Sequence, residues 1–170
     1  DLYNNDLKLA DDFSLIAVVK DTDLTVKTRS IMDVASMTSN VNLLLQKYNG
    51  YYRFSCFDTA ARDAYIYRQF NEFVILALTF NKAASTGKLN FYANGKVEAT
   101  RYGTAETANG QIAQPINIGS ASWKDGKVTG YRNWKGYIGP VIMTSSTLTA
   151  AQVAEVTKSL ICMRNAGVGV

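Results

Sequence analysis

Short apolar runs recur along the chain, and most of them alternate with polar residues as β-strands do. Gly, Asn, Asp and Ser clusters separate these runs. Strands are predicted at residues 13–20, 41–46, 51–57, 88–93, 96–101, 116–120 and 134–144. This pattern predicts an all-β fold, a two-sheet antiparallel β-sandwich.

Two Asn-Gly pairs lie between predicted strands. Asn49-Gly50 precedes the strand at 51–57, and Asn94-Gly95 joins the strands at 88–93 and 96–101. Both residues of such a pair tolerate positive φ, which two-residue hairpin turns require. Each pair therefore predicts an antiparallel hairpin.

Residues 72–80 form a longer apolar run that includes FVILALTF. A strand with one face in water would alternate with polar residues, so this one should lie centrally with both faces covered. In the strand at 88–93, Leu89, Phe91 and Ala93 should face the core, while Asn90 and Tyr92 face the other way.

The periodicity changes near the end of the chain. Val153, Val156, Leu160 and Met163 recur at helical spacing, with Thr149 as the expected N-cap and a glycine as the stop. We expect a short C-terminal helix that covers an open end of the sandwich.

Length and composition fit one globular domain spanning residues 1–170. The net charge of +4 comes from scattered basic residues without a cluster, so no nucleic-acid partner is predicted. The chain contains no run of about 18 apolar residues, which argues against membrane insertion. Its start lacks a signal peptide pattern, which suggests a mature chain or an excised segment.

The two cysteines, Cys56 and Cys162, match no metal-ligand spacing. We interpret them as two buried free thiols, although a single bridge between them stays open.

The segment at 134–156, WKGYIGPVIMTSSTLTAAQVAEV, resembles the closing motif of concanavalin A-like and laminin G-like jelly-roll domains, which include pentraxin-like modules. Seven residues fall in its register: Trp134, Gly136, Ile138, Val141, Met143, Leu148 and Thr149. KLNFYANGKVEAT at 88–100, INIGS at 116–120 and FSLIAVVK at 13–20 resemble further segments in the family's order. The resemblance implies a concanavalin A-like jelly roll, with Trp134 in its core.

This sequence differs from the family pattern at two places. The tryptophan and histidine that often precede the family's long central strand are replaced by Phe70 to Phe73, and Gly139-Pro140 stands where the last strand commonly has an acidic residue. Calcium binding, frequent in relatives, therefore stays an open alternative, and no cofactor is predicted.

Catalysis is also not expected. The four glutamates, Glu72, Glu98, Glu106 and Glu155, are dispersed instead of forming the facing pair that glycoside hydrolysis needs. The chain has no histidine, which removes the usual base of a nucleophilic triad. Three oxygen-rich places, Asp21 with Asp23, Asp58 with Asp63, and Asp125 with Asn133, are explained by turn formation, and no metal ligand is assigned.

Sugar recognition is the favoured chemistry, because flat aromatic rings stack on pyranoses while polar side chains bond the hydroxyls. Tyrosines concentrate at positions 48 to 67, and alternation places Tyr51, Arg53 and Ser55 on the wetter face of their strand. Trp123, Asp125 and Tyr131 lie in a polar loop at 121–133, where binding loops of a sandwich gather. The candidate glycan-binding residues are therefore Trp123, Tyr131, Asp125, Tyr51 and Arg53.

These features predict a non-catalytic glycan-binding or adhesion module of a secreted, cell-surface or virion protein. Its partner would be a glycan or cell-surface polysaccharide. The alternative is a structural or protein-interaction sandwich, such as a virion decoration, tail or capsid-associated domain, that contacts other subunits and has no glycan ligand. Fold analogy alone does not separate the two.

Overall fold

The computed structural model describes residues 12–23, 25, 27–34, 43–56, 62–81, 88–102, 116–122, 128–129 and 132–167. The strands are β1 (Asp12–Asp21), β2 (Arg29–Val34), β3 (Leu43–Tyr48), β4 (Tyr51–Cys56), β5 (Arg62–Ile66), β6 (Val74–Asn81), β7 (Lys88–Ala93), β8 (Lys96–Tyr102), β9 (Ile116–Ile118), β10 (Ala121–Ser122), β11 (Val128–Thr129) and β12 (Gly136–Thr144). One helix, α1 (Ala150–Asn165), follows. Within the described residues, no helix is long and apolar enough to cross a membrane.

The strands form two five-stranded antiparallel sheets. The first has the order β12-β1-β6-β7-β8, and the second has the order β5-β4-β3-β2-β9. The short strands β10 and β11 pair separately. The predicted two-sheet antiparallel β-sandwich is therefore confirmed.

Apolar side chains from the facing sides of the two sheets form the main core. Leu15, Ala17 and Val19 of β1 meet Leu45 of β3 and Phe54 of β4, and all five are almost fully buried. Leu89, Phe91 and Ala93 belong to this core, as their alternation predicts, and Trp134 packs against it half-buried.

The apolar run in β6 is covered on both faces, as predicted. Val74, Leu76 and Leu78 face the main core, while Ile75 and Ala77 face a second apolar cluster. That second cluster includes residues of α1. The helix therefore lies on the outward face of the first sheet, and the expectation that it covers an open end of the sandwich is wrong.

The physical reason is the composition of the outward face. Ile16 and Val18 of β1 lie there with Tyr92 of β7, so this face needs an apolar cover, which Val153 and Leu160 of α1 supply. Thr149 is the N-cap, as predicted, and forms a capping box with Gln152.

Both predicted hairpin turns are present. Asn49 has φ 48° and Gly50 has φ 87°, and the pair joins β3 to β4. Asn94 with φ 49° and Gly95 with φ 80° join β7 to β8. The two strands β2 and β5 were not predicted, and the expected loop at 121–133 contains β10 and β11.

The cysteine prediction is partly wrong. Cys162 is a free thiol, but it is exposed on α1 because it lies opposite the apolar stripe of the helix. The side chain of Cys56 lies outside the described part of the structure.

Candidate functional site

The outward face of the second sheet carries four tyrosine rings around the β3–β4 hairpin. Strand alternation directs Tyr48 of β3, Tyr51 of β4 and Tyr65 of β5 to this face, because their neighbours Lys47, Tyr52 and Ile66 point inward. The fourth ring, Tyr67, follows β5 directly. Tyr48, Tyr51, Tyr65 and Tyr67 are called the tyrosine surface below.

Tyr51 lies at the centre of the tyrosine surface. Its ring centroid is 5.7 Å from that of Tyr48, 5.5 Å from that of Tyr65 and 5.2 Å from that of Tyr67. Tyr65 and Tyr67 stack with an interplanar angle of 25°. Tyr67 is 73% exposed, and the other three tyrosines are half-buried.

An arginine and an aspartate lie beside these rings. The Arg53 guanidinium is 5.0 Å from the centre of the Tyr48 ring, and its Nη2 is 3.1 and 2.9 Å from the two carboxylate oxygens of Asp63. Ser55 Oγ also donates to Asp63, as does Tyr65 Oη at 2.7 Å. Three donors therefore fix the carboxylate in one orientation.

These contacts set the ionisation of the site. Burial alone would raise the pKa of Asp63, but the hydrogen bonds from Ser55, Tyr65 and Arg53 outweigh it and the pKa is lowered. Burial, followed by the hydrogen bond to Asp63, raises the pKa of Tyr65 to about 12. Asp63 is thus a carboxylate and Tyr65 a neutral phenol near pH 7.

Two of the five candidate residues, Tyr51 and Arg53, are brought together here. Alternation placed Ser55 on the same face, which is confirmed, although Ser55 is fully buried. Trp123, Asp125 and Tyr131 lie outside the described residues, so their role stays a prediction. Gln46, which pairs in register with Arg53, and Ser30, which pairs with Gln46, lie on the same face and were not singled out.

A second polar cluster lies inside the sandwich. Asp21 continues the inward-facing series of β1, Lys47 continues that of β3, and the two side chains meet where the sheets end. Lys47 Nζ donates to the Asp21 carboxylate and to the main-chain oxygen of Asp23. Arg29 donates to the Asp23 carboxylate and, at 3.2 Å, to the main-chain oxygen of Asn133.

The buried charge cluster contains Asp21 and Asp23, which form one of the oxygen-rich places in the sequence. Hydrogen bonds from Thr25, and then from Arg29, hold the pKa of Asp23 well below its usual range. The carboxylates of Asp21, Asp23 and Asp63 are each paired with a lysine or an arginine. Within the described ranges, no three acidic, cysteine or histidine side chains come together as metal ligands do.

Among the described glutamates, Glu72 pairs with Lys20 and Glu98 pairs with Arg68, while Glu155 lies on α1. None of these three lies on the second sheet that carries the tyrosine surface.

A laminin G model of the concanavalin A-like lectin/glucanases superfamily matches residues 1–154 of the sequence. The chain belongs to this superfamily. A search by sequence among curated proteins finds no match.

Several solved structures share the fold. The native heptameric SAP-like pentraxin of Limulus polyphemus is 17% identical, with a TM-score of 0.65 over 87% of this chain and 70% of its own. The CBM40 of the Ruminococcus gnavus IT-sialidase, solved with α2,3 sialyllactose, is 19% identical, with a TM-score of 0.67 over 89% of this chain and 85% of its own.

The binding domain of botulinum neurotoxin DC, solved with rat synaptotagmin II, is 13% identical, with a TM-score of 0.69 over 91% of this chain. This chain spans only 37% of that toxin domain. At such identities the likeness concerns the fold.

Proposed function

We propose that this superfamily domain is a non-catalytic glycan-binding module and that the tyrosine surface is its binding site. The observation that carries the proposal is the arrangement of four tyrosine rings, 5.2 to 5.7 Å from Tyr51 to its neighbours, around the fixed pair of Arg53 and Asp63. Aromatic faces stack on the apolar face of a sugar, while the guanidinium and carboxylate bond its hydroxyls.

The comparisons support a binding role without defining a ligand. The Ruminococcus CBM40 was solved with a sialylated sugar, and the toxin binding domain was solved with a protein. We propose one domain over residues 1–170, in a secreted, cell-surface or virion protein, which contacts a glycan or cell-surface polysaccharide.

The first experiment is a glycan-array screen of the domain displayed multivalently, since single sugar sites are weak and avidity raises their signal. Tyr51→Ala should weaken binding about tenfold or more, because it removes the central ring of the surface. Tyr137→Ala is the matched control, because Tyr137 is 61% exposed but lies on β12 of the other sheet.

A third variant, Trp123→Ala, tests the polar loop that the sequence favours together with Asp125 and Tyr131. Loss of binding in Trp123→Ala with Tyr51→Ala unaffected would move the site to that loop. A blank array with a folded domain would contradict the glycan proposal.

The same screen should be repeated with calcium and with a chelator. We expect equal binding in both, because Lys47 and Arg29 already pair with the carboxylates of Asp21 and Asp23. Binding that the chelator abolishes would show that a calcium site acts elsewhere in the chain.

A protein-interaction role is the second candidate, and a different surface favours it. Strand β8 is at the edge of the first sheet and exposes Val97 at 50% and Tyr102 at 66%. If the array is blank, a change of oligomeric state in the double variant Val97→Thr/Tyr102→Ser, measured by light scattering, would support this role.

A further inference from the structure

Two arginines lie beside the tyrosine surface, where the edge strands β5 and β8 of the two sheets approach each other. Arg101 of β8 donates from Nε to the main-chain oxygen of Asp63 of β5 at 3.1 Å. Arg68, two residues after the end of β5, donates to the carboxylate of Glu98 on β8. Arg68 and Arg101 are called the arginine edge below.

The arginine edge borders the tyrosine surface along β5. The carboxylate of Asp63 accepts from Tyr65 Oη at 2.7 Å, while its main-chain oxygen accepts from Arg101. Arg68 directly follows Tyr67, the ring that is 73% exposed. Strand β5 pairs with β4 on one side, and none of the described strands pairs with its other side. A ligand on Tyr65 and Tyr67 can therefore extend over β5 onto the arginines.

Both guanidinium groups are held in place and are accessible. Arg101 is exposed, and its two hydrogen bonds within the described residues go to the main-chain oxygens of Asp63 and Thr100. The Arg68 side chain is 52% exposed, and its guanidinium lies 4.7 Å from the centre of the Phe70 ring. An arginine has five N–H donors, so each side chain keeps donors for an anion.

The charge of the arginine edge is only partly balanced. Beside the tyrosine rings, Arg53 and Asp63 neutralise each other. Glu98 neutralises Arg68, but Arg101 bonds neutral oxygens and forms no ion pair within the described ranges. A positive charge in excess therefore lies directly beside an aromatic surface that has no net charge of its own.

We propose that the arginine edge extends the tyrosine surface into a site for an acidic glycan and binds the carboxylate or sulfate group of that glycan. The inference rests on the proposed function. A guanidinium presents N–H groups in a planar fork, which fits two oxygens of such an anion. The rings of Tyr65 and Tyr67 would contact the sugar that carries the acid group or its neighbour.

Arg101→Gln tests the proposal on matched glycans. The probes are oligosaccharides displayed on the array in neutral, α2,3-sialylated and sulfated forms, so that a carboxylate is compared with a sulfate. The wild type should bind acidic forms more tightly than neutral ones. Arg101→Gln should weaken binding of the acidic forms by about threefold to tenfold, the effect of a lost hydrogen bond to a charged group at an exposed site. Binding of the neutral forms should be unchanged.

Glu98→Gln tests the same idea in the opposite direction. It removes the carboxylate that competes with the ligand for Arg68. Binding of the acidic forms should therefore become tighter by about twofold to fivefold, the range of an exposed ion pair. Damage to the fold would not produce such a gain, so this variant decides the matter even where Arg101→Gln unfolds.

Lys158→Gln is the matched control for charge. It also removes one positive charge, but Lys158 is exposed on α1, which lies on the outward face of the first sheet. This variant should leave the affinity for every probe unchanged. An equal loss in Lys158→Gln and Arg101→Gln would mean that only the net charge of the domain attracts acidic glycans, and would overturn the proposal.

The remaining outcomes separate this inference from the proposed function. Loss of the acidic preference in Arg101→Gln together with its increase in Glu98→Gln would support the inference. Equal or tighter binding of neutral forms by the wild type, with Tyr51→Ala still losing binding, would overturn the arginine edge and leave the proposed function standing. Acidic binding that survives Tyr51→Ala, or no glycan binding by the wild type, would overturn both.

Discussion

Lys47→Met should destabilise the fold strongly, because Lys47 and Asp21 form an ion pair deep inside the sandwich. Their side chains are 2% and 3% exposed. Loss of the ammonium leaves the Asp21 carboxylate buried without a counter-ion, although it still accepts a hydrogen bond from Asp23 N at 2.9 Å. Removing one partner of such a pair costs about 3–5 kcal/mol.

The expected change is large enough for a simple assay. For a domain of this length, about 1 kcal/mol shifts the unfolding temperature by about 2–4 °C. Thermal unfolding followed by circular dichroism should therefore show Lys47→Met unfolding roughly 6 to 20 °C below the wild type.

Two further variants isolate the cause. The double variant Lys47→Met/Asp21→Asn should recover much of the loss, because the uncompensated charge is gone. Lys135→Met is the surface control: Lys135 Nζ is 4.0 Å from Asp23 and its side chain is 63% exposed, so its loss should cost under about 1 kcal/mol. Equal stability of Lys47→Met and Lys135→Met, or strictly additive losses in the double variant, would refute the reasoning.

The other predictions concern the backbone, the site and the helix. Gly136→Ala should lower the free energy of unfolding by about 3 kcal/mol or more, because Gly136 has φ 148° and an added Cβ would lie 1.9 Å from a main-chain oxygen of β1. Gly167→Ala is the control: Gly167 has φ 71° and nothing within 4 Å of an added Cβ, so thermal unfolding should show a loss of about 1–2 kcal/mol. Glycan binding should be constant from roughly pH 5 to 9, because the pKa of Asp63 is lowered and that of Tyr65 is raised to about 12. The lowered pKa means that Asp63 stabilises the fold above its unfolded pKa of about 4 and loses this contribution as the pH falls through its folded value, so Asp63→Asn should flatten the acid side of a stability profile. Thr149→Ala should lower the free energy of unfolding by about 1 kcal/mol in urea titrations, since it removes the N-cap of α1, and an unchanged midpoint would contradict that role.

Much of the fold could be predicted because it depends on local signals. The Asn94-Gly95 turn and the alternation around Phe91 define the β7–β8 hairpin without any information from distant residues. The unbroken apolar run in β6 likewise indicates that both of its faces are covered.

Strands β2 and β5 were not predicted because they contain charged residues. Strand β2 begins with Arg29, whose charge is neutralised by Asp23, and β5 begins at Arg62 and contains Asp63, which binds Arg53 on the neighbouring strand. In the sequence these charged residues indicate loops. Their partners become visible only when strands are paired.

The candidate site could likewise be predicted only in part. Alternation within β4 is enough to place Tyr51 beside Arg53 on one face. The contribution of Asp63 and Tyr65 depends on the register of β4 with β5, and that of Gln46 on the register with β3. Gln46, a polar residue within the apolar strand β3, is a sequence signal that could have drawn attention to this neighbour of Arg53.

The helix α1 and the tyrosine surface lie on opposite faces of the domain. The helix lies on the outward face of the first sheet, while the tyrosine surface lies on the outward face of the second. Copies arranged side by side in the same orientation would therefore present their tyrosine rings toward a single plane. In such an array, the weak contacts of single domains with a glycan-coated surface would add together.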